Sequence, residues 1–201
     1  MRVVKLNLKI ENIMKTKKLN IPKSILNLIY LLLLFNLAAC DNDNSNATKT
    51  QPQIDIHMAV ISNDIESVNQ YILSGSDIDK KDPFGGSSPL ISAVIFDKKE
   101  IAKILIQAGA DLNFRNNDGS TPLLNAAFFG RVDIVQLLLN KGADKTIKNN
   151  TGATAYQSVV GDFNEIKPIY DMVSQSLAPM GLKLDYQQLK SNRPIIAAIL
   201  K

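Results

Sequence analysis

Hydrophobic positions along this chain of 201 residues follow two patterns. One is a continuous run, Ile25–Leu37, apolar at every position except Asn27 and Asn36. The other is periodic. In residues 116–148 a short apolar cluster around Leu123, Leu124, Ala126 and Ala127 is followed by Ile134, Val135, Leu137, Leu138 and Leu139. The second cluster is the apolar side of a helix. Thr121 suits the cap of a preceding helix, and Pro122 its first turn, where a missing N–H costs nothing. Ala126 and Ala127 are small enough for neighbouring helices to approach closely. Asp118-Gly119 supplies a tight turn, and Gly142 a left-handed residue just past the second helix. The unit recurs. Ser88-Pro89-Leu90, Thr121-Pro122-Leu123 and Thr154-Ala155-Tyr156 stand 33 residues apart. Gly75, Gly109 and Gly142, followed by small or polar residues and Asp77, Asp111 and Asp144, stand 34 and 33 apart. A unit of this kind leaves an apolar face uncovered, so stacking is what stabilises it.

The best copy, NNDGSTPLLNAAFFGRVDIVQLLLNKGADKTIK, resembles the ankyrin repeat at several positions: D-x-x-G-x-T-P-L, the Ile-Val-x-Leu-Leu-Leu helix and Gly-Ala-Asp. The resemblance covers residues 54–174 in four copies, 54–81, 82–115, 116–148 and 149–174. It implies an all-α solenoid of stacked helix-loop-helix repeats with short β-hairpin loops. Ile56-His57-Met58-Ala59 aligns with the family's Leu-His-x-Ala, and Ile65–Leu73 is the second helix of that copy. The family likeness gives His57 a structural role, bonding hairpin backbone. The same position holds Ile91 and Leu124 in the next copies, where apolar packing substitutes. The second hairpin, Asp82-Pro83-Phe84-Gly85-Gly86, carries one extra residue. The fourth copy drifts after Gly161, and Pro168 falls inside its second helix pattern, where a kink or a late start is expected. Residues 175–201 match no repeat. The run Ile195–Leu200 after Asn192-Arg193-Pro194 predicts a helix capped near Asn192 or Arg193, read as a C-terminal cap over the last repeat, with a second anchor or a partner helix as the alternative.

The continuous run lies behind a basic stretch, KTKKLNIPK, and ends in Leu37-Ala38-Ala39-Cys40 before a polar segment. That order is a secretory signal, and 13 residues fall short of the roughly 20 needed to span a bilayer. The Leu-Ala-Ala-Cys end resembles the lipobox of bacterial lipoproteins. The resemblance implies residues 1–39 as signal peptide, translated from Met1 or from Met14, and a lipidated Cys40 as first mature residue. The alternative is an uncleaved anchor with an ordinary thiol. Asp41 resembles an inner-membrane retention signal, with the outer membrane as the other destination. Residues 40–53 have almost nothing to bury, so they are expected to be a disordered tether spanning about 20 Å.

Composition narrows the chemistry. The chain has 23 Lys and Arg against 19 Asp and Glu, but residues 1–39 hold seven bases and one acid. The remainder is slightly acidic, which argues against nucleic acid as a partner. One Cys and one His exclude an internal disulfide and a histidine- or cysteine-rich metal site. There is no nucleophile beside a base and no phosphate-binding glycine loop. The recurrent aspartates are turn formers. No enzyme activity, cofactor or metal is expected.

Binding is what remains. The resemblance implies a concave partner-binding surface made of hairpin tips and inner-helix faces. Carried over by position, this surface comprises Phe84, Ser87, Ile95 and Phe96 in the second copy. In the third it comprises Asn117, Asp118, Ser120, Phe128 and Phe129, with Arg115 and Lys148 just before hairpin turns. The phenylalanines are either interface anchors or packing against neighbouring hairpins. The expected protein is a monomer, lipid-anchored on the periplasmic side of the bacterial envelope, that binds another protein. The alternatives are an immunity-type inhibitor of a delivered toxin and an envelope stress-defence factor.

Overall fold

The computed structural model describes residues 54–201. The signal peptide, Cys40, Asp41 and the tether lie outside them. Among the described residues three helix pairs repeat: α1 (Ile56–Ile61) with α2 (Ile65–Leu73), α3 (Pro89–Ile95) with α4 (Lys99–Gln107), and α5 (Pro122–Phe128) with α6 (Val132–Asn140). The inner helices α1, α3 and α5 pack on one another in sequence, as do the outer helices α2, α4 and α6. No described residue is in a β-strand. The hairpin loops are closed instead by backbone bonds from Asp82 N to Ser87 O (2.9 Å), Asn116 N to Ser120 O (3.2 Å) and Asn149 N to Ala153 O (3.0 Å).

Each inner helix starts on a side-chain cap. Asp55 accepts from His57 N (2.9 Å), Ser88 from Ile91 N (3.3 Å) and Thr121 from Leu124 N (3.3 Å). These bonds satisfy N–H groups that the first turn leaves unpaired. Pro89 and Pro122 occupy the first turn. The chain reverses from inner to outer helix through one left-handed residue per repeat: Asn63 (φ 62°), Asp97 (φ 54°) and Gly130 (φ 69°). Each outer helix ends in the same way. Ser76 N, Ala110 N and Ala143 N reach back to Tyr71 O, Leu105 O and Leu138 O at 3.0–3.2 Å, each just past a glycine of positive φ. Ala59, Ala93, Ala126 and Ala127 are fully buried between the layers with Val60, Val94, Leu105 and Leu138.

The fourth copy departs from this plan. Its Thr154 accepts from Gln157 N (3.3 Å) while Gln157 Oε1 accepts from Thr154 N (2.8 Å), a reciprocal cap. Yet residues 155–160 form only turns, with Ala155 and Val159 buried in the core. Then comes α7 (Phe163–Leu177), which contains Pro168, followed by the 3-10 turn Ala178–Met180 and α8 (Tyr186–Leu200). The C-terminal helix therefore begins about two turns earlier than the hydrophobic run implied. Its cap is Asp185, which accepts from Gln187 N (2.9 Å) and Gln188 N (3.0 Å). Asn192 and Arg193 are interior. Arg193 is buried because its guanidinium Nη1 donates to Ser158 O (3.2 Å) and to Tyr170 Oη (3.1 Å).

Of the two C-terminal helices, α8 packs on the outer helix α6. Asn192 Nδ2 donates to Gly130 O (2.9 Å), just before α6 begins, and Lys145 Nζ to Leu200 O (3.2 Å), just beyond its end. The two helices thus run parallel, as successive outer helices do. So α8 completes the outer layer, and residues 161–185 are an excursion between the fourth copy's two halves. A Cβ on Gly130 would lie 2.9 Å from Leu189 Cδ2 of α8. That closeness accounts for glycine where the earlier repeats carry Asn63 and Asp97.

Candidate protein-binding surface

The hairpins form a row pinned by bonds between repeats. Asn117 N donates to Gly85 O and Asn150 N to Asp118 O, both at 2.9 Å. Asn150 Nδ2 donates to Asn117 O (2.9 Å). At the base of the row Asp111 N donates to the Asp79 carboxylate (3.1 Å) and Asp144 N to Asn113 Oδ1 (2.9 Å). A partner therefore meets a pre-formed ridge.

Within each hairpin one side chain holds the loop. Asp82 accepts from Phe84 N (2.8 Å), Gly85 N (2.8 Å) and Ser87 N. Burial works against its charge, but these amides outweigh it and hold its pKa below the usual carboxylate value. Asn116 accepts from Ser120 N (2.8 Å), and Asn149 from Thr151 N (3.1 Å) and Ala153 N (3.0 Å). Asp77, Asp111 and Asp144 each accept the amide two residues on, from Asp79, Asn113 and Thr146, at 2.8–3.0 Å. They are turn formers in the structure, as their recurrence implied.

His57 ties the first repeat to the second. Its Nε2 lies 2.8 Å from Lys80 O and its Nδ1 3.2 Å from Ser92 Oγ. A carbonyl only accepts, so Nε2 is the donor in the bond to Lys80 O. Beside it Lys80 Nζ donates to Asp55 Oδ2 (2.8 Å). Burial opposes the Asp55 charge, and the bonds from Lys80 and His57 N more than offset it.

The candidate contact residues divide sharply. Phe84 stands on the second hairpin tip, 86% exposed. Arg115, Asn117, Asp118 and Lys148 are exposed along the row, and Ser120 is half-buried. Ile95 and Phe96 are half-buried at the end of α3, where the Ile95 carbonyl accepts from Arg131 Nη2 (3.0 Å). Ser87 and Phe129 are corrections. They are 7% and 4% exposed and belong to the interior. Phe128 is half-buried beneath α7. Its ring lies 4.6 Å from that of Tyr170, whose hydroxyl donates to Phe128 O (2.6 Å). Phe129 meets Phe128 edge-on at 5.1 Å. This aromatic cluster is covered by the chain's own helix, so packing is its role. Sequence reasoning passed over Lys81, which occupies the register of Arg115 and Lys148; the 33–34-residue period applied to charge alone picks it out.

Among the described residues no group of three or more His, Cys, Asp or Glu is placed to hold a metal. None of their helices is long and apolar enough to cross a membrane.

Residues 56–149 match the family model for ankyrin repeats in three copies. Among solved structures the chain is similar to the crystal structure of the ankyrin repeat domain of Bcl-3, a member of the IkappaB protein family. The two share 31% identity over 57% of this chain, with a TM-score of 0.51. The match spans 50% of that domain's length. Among curated proteins none matches the chain. These matches point to no enzyme family; ankyrin repeats are protein–protein interaction modules. With the paired helices, pinned hairpins and caps described above, they show that residues 56–149 fold as an all-α ankyrin solenoid of three repeats.

Proposed function

We propose that the chain is a membrane-anchored interaction module of the bacterial cell envelope, binding a protein through its hairpin row and inner-helix face. The reading rests above all on the solvent-exposed Phe84 at the tip of a rigid ridge in a repeat whose general role is binding. Large aromatic side chains on pre-ordered backbone anchor interfaces at low entropic cost. The leader supports the location. Cys40, the chain's single cysteine, directly follows Leu-Ala-Ala and a 13-residue apolar run. Acyl chains on Cys40 contribute about 0.8 kcal/mol per buried CH₂, so two or more would hold the protein on the periplasmic side of a membrane. Asp41 favours the inner membrane.

Two measurements test this. With its own leader, the protein sediments with membranes, and Cys40→Ser shifts it to the soluble fraction; a variant that stays on membranes overturns the lipid anchor. Crosslinking in intact cells, followed by purification, yields a near-stoichiometric envelope protein that Phe84→Ala loses while remaining folded. Absence of any such protein from the wild-type sample overturns the binding role.

A further inference from the structure

The 33–34-residue period places one cation immediately before each hairpin loop: Lys81 before Asp82, Arg115 before Asn116 and Lys148 before Asn149. All three are exposed. Two of the side chains lean along the row. Lys81 Nζ stands 5.6 Å over the ring of Phe114, the neighbour of the next rung. Arg115 Nη2 lies across Gly119, 2.7 Å from where a Cβ would be, on the side of Asn150. Among the described residues none of the three is in an ion pair.

The carboxylates of the same row are used differently. Asp77, Asp79, Asp82, Asp111 and Asp144 all accept backbone amides. Asp118 is the exception, exposed on the third tip with no side-chain bond among the described residues. Apart from Asp118, the carboxylates of the row are turned to its own backbone and remain charged there, while its three leading cations make no ion pair among the described residues.

We infer that Lys81, Arg115 and Lys148 form a ladder that recognises an acidic, extended protein segment. This inference rests on the protein-binding reading above. The hairpins are pinned side by side, so the rungs recur at about the spacing of packed helices, 8–10 Å. An extended chain in the polyproline II form has three residues per turn and advances about 3.1 Å per residue, so carboxylates three residues apart lie on one side and fall in step with the rungs. A bilayer or nucleic acid presents negative charge over a broad face, and against such a face the exposed Asp118 would be repelled. A single strand with one carboxylate per rung can pass it.

The probe is a synthetic peptide of about twelve residues with Glu at every third position, and its Gln counterpart as control. The full chain binds the Glu peptide, binding weakens with added salt, and the Gln peptide does not bind. An exposed ion pair is worth a factor of about three, so Lys81→Gln, Arg115→Gln and Lys148→Gln together weaken binding about thirtyfold. Asp118→Asn strengthens it. Unchanged circular dichroism certifies the fold of each variant. Equal binding by the triple variant, or a ladder-dependent preference for phosphatidylglycerol vesicles over the peptide, overturns the inference. An envelope partner captured equally by the triple variant does the same, and leaves the binding role standing. Peptide binding without any captured partner sinks the cellular role and leaves the ladder.

Discussion

At the scale of single residues, the repeat contains its own comparisons. Asp79 and Asn113 are equivalent, and each accepts an amide from the following repeat. Asp79 is partly buried, which raises its pKa above the ordinary value; the Asp111 N–H opposes this, and the charges of Asp111 and Asp77 add to it. A raised carboxylate pKa means that the folded state holds the proton more tightly than the unfolded one. The charged form therefore costs stability above that pKa, and the cost fades as pH falls through it. Asp79→Asn keeps an acceptor, as Asn113 does, and removes the charge. Urea unfolding is expected to show the variant more stable than wild type at pH 7, with the gap closing below about pH 4. Asp82 has the opposite sign. Its lowered pKa supports the fold above the ordinary carboxylate value, and this support is lost as pH falls through the folded pKa. Gly130 and Gly142 form a second pair, both with positive φ. Alanine at Gly142 meets only the strained backbone, a cost of about 1 kcal/mol. Alanine at Gly130 must also displace the packed Leu189, so its loss in thermal or urea stability is expected to be the larger.

Helices make the next scale, and here sequence and structure part company in an instructive way. The helices of the first three copies were legible because caps, prolines, apolar spacing and terminal glycines all agree at each boundary. So was the structural role of His57. The last part of the chain was not. The turns after Thr154 carry a good cap, and the excursion that follows starts the true outer helix 54 residues after the start of α6, where the earlier outer helices start 34 and 33 residues apart. Pro168 read as a kink or a late start and Pro194 as part of a helix's first turn, although α7 and α8 run through them. Nor did sequence reveal that Phe128 is covered, because Tyr170 reaches it from 42 residues away. As the fourth outer helix, α8 has two very different faces. Ile196 is fully buried against the last repeat while Ile195 beside it is 49% exposed. Ile196→Ala is expected to cost about 2–5 kcal/mol and Ile195→Ala less than about 0.5 kcal/mol, measured by denaturant midpoint at constant slope.

The molecule as a whole divides its labour by position in the chain. In the function proposed above the leader would supply a location and the hairpin row a binding surface, while the C-terminal residues seal the final repeat. Stacked repeats draw stability from their neighbours, so an uncovered terminal face weakens the entire array. Here the seal is tied by polar bonds as well as apolar contact: Arg193 to Ser158 and Tyr170, Asn192 to Gly130, and Lys145 to Leu200. Each earlier face is covered by a helix about 33 residues further on, whereas Gly130 waits for Asn192, 62 residues later. Closing that longer loop costs more chain entropy and comes late. A chain delivered from its N-terminus, by a ribosome or through a translocation channel, consequently carries an open apolar flank on α6 for the whole time that residues 141–185 are emerging. During that interval the nascent protein is most exposed to proteases and to wrong partners, and the arrival of α8 ends it.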